Sequence, residues 1–123
     1  MSTAASNLTE TSSPDLAEYG EDWSVNTLLA RRVAAAPDGA LFERKTEGQW
    51  LPVSAAAFDA QVVAVAKGLA AKGVEPGDRV AIMSRTRYEW TLLDFAVWAA
   101  AAVPVPIYET SSAEQVQWIL DDA

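Results

Sequence analysis

Two residue types are missing from the 123-residue chain: it has no cysteine and no histidine. The first absence rules out disulfides and thiolate metal sites, and the second removes the commonest general base and metal ligand. A self-contained Ser-His-Asp or Cys-His hydrolase is therefore excluded. Glycine is sparse as well, with six residues at positions 20, 39, 48, 68, 73 and 77. They form neither a G-x-x-x-x-G-K-[ST] phosphate loop nor a G-x-G-x-x-G dinucleotide fingerprint. Base is short relative to acid: nine Lys and Arg against 17 Asp and Glu give a net charge of −8. Nucleic-acid binding needs clustered cations that release counterions, so DNA and RNA are discounted as partners.

The acid is unevenly placed. Glu10, Asp15, Glu18, Glu21 and Asp22 stand in the first 22 residues with no Lys or Arg among them. This Ser- and Thr-rich stretch reads as a flexible acidic leader over 1–22, followed by a folded region over 23–123. It lacks the basic start and apolar core of a signal peptide, which points to the cytoplasm. The longest apolar run, Phe95 to Tyr108, contains Pro104 and Pro106. It falls short of the roughly 20 residues that a spanning helix needs, so no transmembrane segment is expected.

What is present is an α/β pattern. Leu28, Leu29, Arg32, Val33 and Ala36 recur at helical spacing after Asn26, read as the N-cap, and Pro37-Asp38-Gly39 ends that helix. Ala40 to Lys45 and Gln49 to Val53 form a short hairpin around Thr46-Glu47-Gly48. Ser54 caps a helix to about Lys72, whose Phe58, Val62, Val65, Ala66 and Leu69 make one stripe, and Gly73 suits the residue after its cap. A Glu75-Pro76-Gly77-Asp78 turn leads into Arg79 to Ser84. The core of that segment, Val80 to Met83, is apolar without alternation, which predicts a strand covered on both faces.

Arg85 to Tyr88 form a bend, and Glu89 opens a helix to about Ala102 in which only Glu89, Thr91 and Asp94 are polar. Val103 to Ile107 then make a second strand, completing a βαβ unit. N–H groups alternate in direction along a strand, so Pro104 and Pro106 delete donors on one side and predict regular pairing on the other side only. A last helix follows, capped by Ser111 with Glu114 or by Ser112 with Gln115. Its end at Asp121-Asp122 places acids at the negative end of the dipole with no terminating glycine, which suggests a truncated chain.

The residues singled out for ligand or interface contact are Arg85, Arg87 and Trp90. The two arginines flank a bend at the C-terminal end of a strand, where ligands of open α/β sheets bind. The structural alternative is that they pair with Glu89 or with solvent. Trp90, Phe95 and Trp98 fall roughly on one helical face, suited either to core packing or to an apolar ligand channel.

From residue 25 onward, "GLAAKGVEPGDRVAIMSRTRYEW", "TLLDFAVWAAAAVPVPIYETSS" and "AEQVQWILDDA" resemble the N-terminal region of the adenylate-forming acyl-activating enzymes, specifically the bacterial long-chain acyl-CoA synthetases. The resemblance implies a partial N-terminal subdomain of that fold. It also implies a parent enzyme that joins ATP and a fatty acid into an acyl-adenylate, releases pyrophosphate, and passes the acyl group to the CoA thiol. ATP, Mg²⁺ and CoA are the cofactors and co-substrates it implies, with peripheral membrane contact open to such an enzyme. The family's Ser/Thr/Gly-rich phosphate loop ending in Pro-Lys-Gly, its Tyr-Gly-x-Thr-Glu segment, its ribose-binding Asp and its C-terminal Lys have no counterpart here. No catalytic, cofactor-binding or metal residue is carried over, and the 123 residues alone are expected to be inactive. The competing expectations are a stand-alone α/β interaction module and a piece of an enzyme adenylating another carboxylic acid.

Overall fold

A computed structural model describes residues 20–123, so most of the acidic leader lies outside the described residues. Eight elements follow in the order α1 (Val25–Ala35), β1 (Ala40–Thr46), β2 (Gln49–Ser54), α2 (Ala55–Ala71), β3 (Arg79–Met83), α3 (Tyr88–Ala99), β4 (Val103–Ile107) and α4 (Ala113–Asp122). The α/β class and the βαβ unit expected from the sequence are both present. Ser24, not Asn26, is the cap of α1: its hydroxyl accepts from the Thr27 N–H, and the Thr27 hydroxyl oxygen accepts from the Ser24 N–H. A serine two residues upstream supplies a reciprocal box that Asn26, already inside the helix, cannot. Only Leu29 of α1 is fully buried, while Leu28 faces solvent.

β1 and β2 pair antiparallel, closing at Thr46 and Gln49 around Glu47-Gly48. Both loop residues have positive φ, 50° and 83°. A two-residue turn of this hand matches the twist of the flanking strands. Ser54 then turns the chain into α2 by accepting from the Ala57 N–H at 3.1 Å. At the far end Gly73, with φ 94°, donates to Ala70 while Val74 donates to Leu69. That paired motif terminates the helix as the sequence predicts.

β3 and β4 are parallel, with Arg79 opposite Val103 and Met83 opposite Ile107. They form a two-stranded sheet separate from the hairpin. The expectation that β3 is covered on both faces is not met. Ile82 is buried, whereas Arg79, Ala81 and Met83 are exposed. An unbroken apolar run records the absence of polar side chains, not the presence of a cover, and among the described residues only one face of β3 is well covered.

α3 is the better-buried element. It packs on α2, α1, β3 and β4, and Ala99 is its sole exposed residue. The helix ends three residues earlier than expected because Ala101 adopts φ 56°. Its N–H donates to Trp98 and that of Ala102 to Val97, repeating with alanine the motif that Gly73 makes for α2.

The core lies between α1, the hairpin, α2 and α3. Leu29, Phe58, Val62 and Leu92 are its buried centre, with Leu41, Phe42, Tyr88 and Phe95 packed around them. Phe58 is the hub. Its ring meets Phe42 at 4.8 Å, Phe95 at 5.4 Å and Tyr88 at 6.1 Å, and Phe95 passes the contact to Trp98 at 5.5 Å. The Phe42 pair is tilted and the others are edge-on; such aromatic pairs add roughly 0.5–1.5 kcal/mol each beyond the area they bury.

Candidate functional site

The bend at Ser84 to Arg87 follows the C-terminal end of β3 and lies beside the turn at Tyr108 to Ser111 that follows β4. The parallel register brings the two together, since Met83 and Ile107 are the last partners in the ladder. Across this junction the Arg85 Nε stands 3.5 Å from a Glu109 carboxylate oxygen, with 85% of the Arg85 side chain exposed. An exposed pair at that distance is weak, and Arg85 is the less committed of the two arginines.

Arg87 is held more firmly. Its Nε donates to Glu89 Oε2 at 2.6 Å, while Glu89 Oε1 accepts from Arg44 Nη2, also at 2.6 Å. Glu89 thus takes one guanidinium from its own bend and one from the hairpin. The Arg44 guanidinium also covers the Tyr88 ring at 5.1 Å, and the Tyr88 hydroxyl donates to Gln61 Oε1 at 3.1 Å. The hydrogen bond to Arg87 above all, helped by the Glu89 backbone N–H, holds the Glu89 carboxyl below its ordinary range, and Glu89 in turn raises Arg87. Tyr88 is pushed up chiefly by burial. All three groups keep one protonation state at neutral pH. The cluster orders charge and backbone; it is not an acid–base pair.

Trp90 lies elsewhere. With Pro106, Ile107 and Tyr108 it lines an open apolar cleft of about 290 Å³. Sequence reasoning places Trp90 on one face with Phe95 and Trp98, but five residues of helix turn through about 500°, which leaves Trp90 roughly 140° away from Phe95. Phe95 and Trp98 accordingly enter the aromatic core, and Trp90 faces the end of β4. The three candidate residues therefore occupy one end of the sheet without converging on one point. Arg44 and Glu109, which complete the ion pairs, are not among the residues that sequence reasoning selects. Their partners are 45 and 24 positions distant, and no local pattern marks them.

The group implied by the resemblance, Mg²⁺ with the phosphates of ATP, does not fit these residues. Among the described residues no three carboxylates converge. The glycines of positive φ, 48, 73 and 77, sit in turns joining elements and not in one cradle. Both arginines of the bend are paired with carboxylates. What the site offers is a rim: one firmly paired cation at Arg87, one exposed cation at Arg85, a helix N-terminus and an apolar cleft at the carboxyl end of a parallel sheet.

Comparison with known proteins defines the class. The model of the AMP-binding enzyme family matches residues 29–123, and the chain belongs to that family. Among its relatives, the long-chain-fatty-acid–CoA ligase FadD15 of Mycobacterium tuberculosis is 46% identical over 114 residues, which is 93% of this chain and 19% of the ligase. The structure of a Mycobacterium tuberculosis fatty acyl CoA synthetase superposes with a TM-score of 0.66 at 27% identity, over 79% of this chain and 19% of that one. The N-terminal subdomain of Klebsiella oxytoca NpsA gives 0.67 at 21% identity, over 79% of this chain and 24% of that one, and shares the fold. The chain spans about a fifth of the length of the FadD15 ligases it matches. Its α/β architecture is that of the N-terminal subdomains of adenylate-forming enzymes, as the sequence leads one to expect.

Proposed function

We propose that residues 23–123 are the opening part of the large N-terminal domain of a long-chain fatty acid–CoA ligase. The observation that carries this reading is the 46% identity to FadD15 across 93% of the chain. The complete enzyme condenses a fatty acid with ATP into an acyl-adenylate and then passes the acyl group to CoA. A carboxylate is a poor acyl donor, and adenylation gives it a good leaving group, with Mg²⁺ and cationic groups offsetting charge on the transferring phosphate. In this division of labour the present residues bear the scaffold: α2, α3 and the hairpin form the core, and β3 and β4 present their carboxyl ends to the rest of the domain.

The reading places the protein in the cytoplasm. No helix among the described residues is long and apolar enough to cross a membrane. Any contact with a membrane surface is peripheral and gains nothing from a net charge of −8. Fatty-acid-dependent ATP–pyrophosphate exchange is the test. The full-length gene product is expected to exchange with a long-chain acid and residues 1–123 to show no exchange above a blank. Exchange that requires an aryl or amino acid in place of a fatty acid would replace the substrate class, and exchange by 1–123 alone would overturn the scaffold role.

A further inference from the structure

We propose that the cleft between the hairpin and the bend before α3 binds a phosphate-bearing anion. The inference goes beyond the ligase reading and does not depend on which acid is activated. It rests on the charge gathered in the cleft and on the donors left free there.

The cleft measures about 280 Å³, with Arg44, Lys45 and Trp50 of the hairpin and Arg87 and Tyr88 beside the bend among its walls. A water molecule takes roughly 30 Å³, so a phosphate and part of what carries it have room. Three cations line this one cleft against the two carboxylates of Glu43 and Glu89, a local balance of +1 in a chain of net charge −8. Arg87 is also the N-cap of α3 and makes no side-chain capping bond. That sets a guanidinium at the positive end of the helix dipole, where a cation is unfavourable. Glu89 is the anion that answers it, and Glu89 is shared with Arg44.

The donors are only partly used. Arg87 reaches Glu89 through Nε and Arg44 reaches it through Nη2. Among the described residues, the two Nη groups of Arg87 and the Nε and Nη1 of Arg44 make no hydrogen bond. Glu89 therefore orders both guanidinium groups while leaving most of their N–H groups free, so part of the entropy cost of binding is met before a ligand arrives. Lys45 has no ion pair, and its ammonium stands 5.9 Å from the centre of the Trp50 ring. A carboxylate offers two oxygens and a phosphate monoester three, and guanidinium forks take phosphate oxygens two at a time. Three cations around one cleft favour the phosphate. Trp50, 63% exposed, adds a flat wall for an aromatic ring attached to it. Glu43 is the opposing group: it lines the same cleft with no cation of its own.

Fluorine NMR of the full-length gene product labelled with 5-fluorotryptophan tests the site, with the Trp50 resonance identified by Trp50→Phe. Inorganic phosphate and ADP, each without Mg²⁺, are the probes. The Trp50 resonance is expected to shift saturably with both; a shift with ADP alone keeps the phosphate site and adds a base contact on Trp50. Glu43→Gln is expected to tighten binding about threefold and Lys45→Gln to weaken it about threefold, the effect of one nearby charge in a solvated cleft. Both side chains are exposed and without an ion pair, so both variants are expected to melt like the parent. No shift with either probe, or a shift whose midpoint ignores Glu43→Gln and Lys45→Gln, would overturn the proposal. The fluorine signal needs no turnover, whereas pyrophosphate exchange tests the ligase reading, so either can fail without the other.

Discussion

Arg44 on β1 and Glu89 in the first turn of α3, 45 positions apart in the chain, meet at 2.6 Å. Arg87 occupies the other oxygen of the same carboxylate. One side chain thereby ties the hairpin to the bend that follows β3. The stabilisation has the sign of a depressed carboxyl pKa: it is complete above the ordinary value of 4.5 and is lost as pH falls through the lower folded-state value. Glu89→Gln is expected to lower the Tm at pH 7 by about 2–4 °C, the range for exposed pairs in a domain of this size. The difference should shrink as pH falls below 4.5 and in high salt. A variant melting like the parent at pH 7 in low salt shows that the clamp holds nothing.

Asp94 carries the opposite sign. It lies in α3 partly buried, and that burial raises its carboxyl above the ordinary 3.8. A raised carboxyl favours the fold while protonated, and the benefit is lost as pH rises through the folded-state value. Asp94→Asn is expected to raise the Tm at pH 7 and to leave it unchanged at pH 3. Thermal melts at the two pH values check this, and equal gains at both would assign the effect to something other than charge.

Ala101 is an alanine in a conformation that suits glycine, with φ 56°. The left-handed region costs a non-glycine residue about 1 kcal/mol or slightly more. Part of this is offset, because glycine loses more freedom on folding. Ala101→Gly should therefore stabilise by roughly 0.5 kcal/mol, read as a shift of the urea midpoint without a change in slope. A loss of stability would mean that the Ala101 methyl group has a packing role that outweighs the backbone strain.

Phe58 has no exposed surface and touches three aromatic rings. Phe58→Ala is expected to cost about 3–5 kcal/mol. That is a large share of the stability of any domain of this size. Loss of a cooperative melt, with Phe58→Leu retaining one, is the predicted pattern.

Much of this fold is legible in the sequence, and the limits follow a physical rule. Ser54, Gly73 and Ser112 act through neighbours a few residues away, so their motifs can be read from local order alone. Pro104 and Pro106 declare an edge because a missing N–H is a property of the residue itself. The end of α3 is harder to read, since Ala101 imitates a glycine and only the surrounding structure holds it there. Covering of β3 is not legible either, because an apolar face records what it tolerates and not what lies on it. At the candidate site, the position of Arg85, Arg87 and Trp90 just past the C-terminal end of β3 is legible from the order of elements. Glu109 beside Arg85, Pro106 beside Trp90, and Arg44 on the Glu89 that Arg87 also holds come from other elements, and no spacing along the chain announces them.

The turn before β3 and the turn before β4 are joined directly: the Gly77 N–H donates to the Ala101 carbonyl at 2.8 Å, as Val103 does to Asp78. The kinetic consequence concerns how two parallel strands find each other. Parallel pairing is slow because a long loop must close before any ladder bond rewards it. Here the closure is made at the loops, and one event between Gly77 and Ala101 sets the alignment of every pair from Arg79–Val103 to Met83–Ile107. From that knot the ladder has only to zip forward. A βαβ unit that registers itself at its base can form early during synthesis.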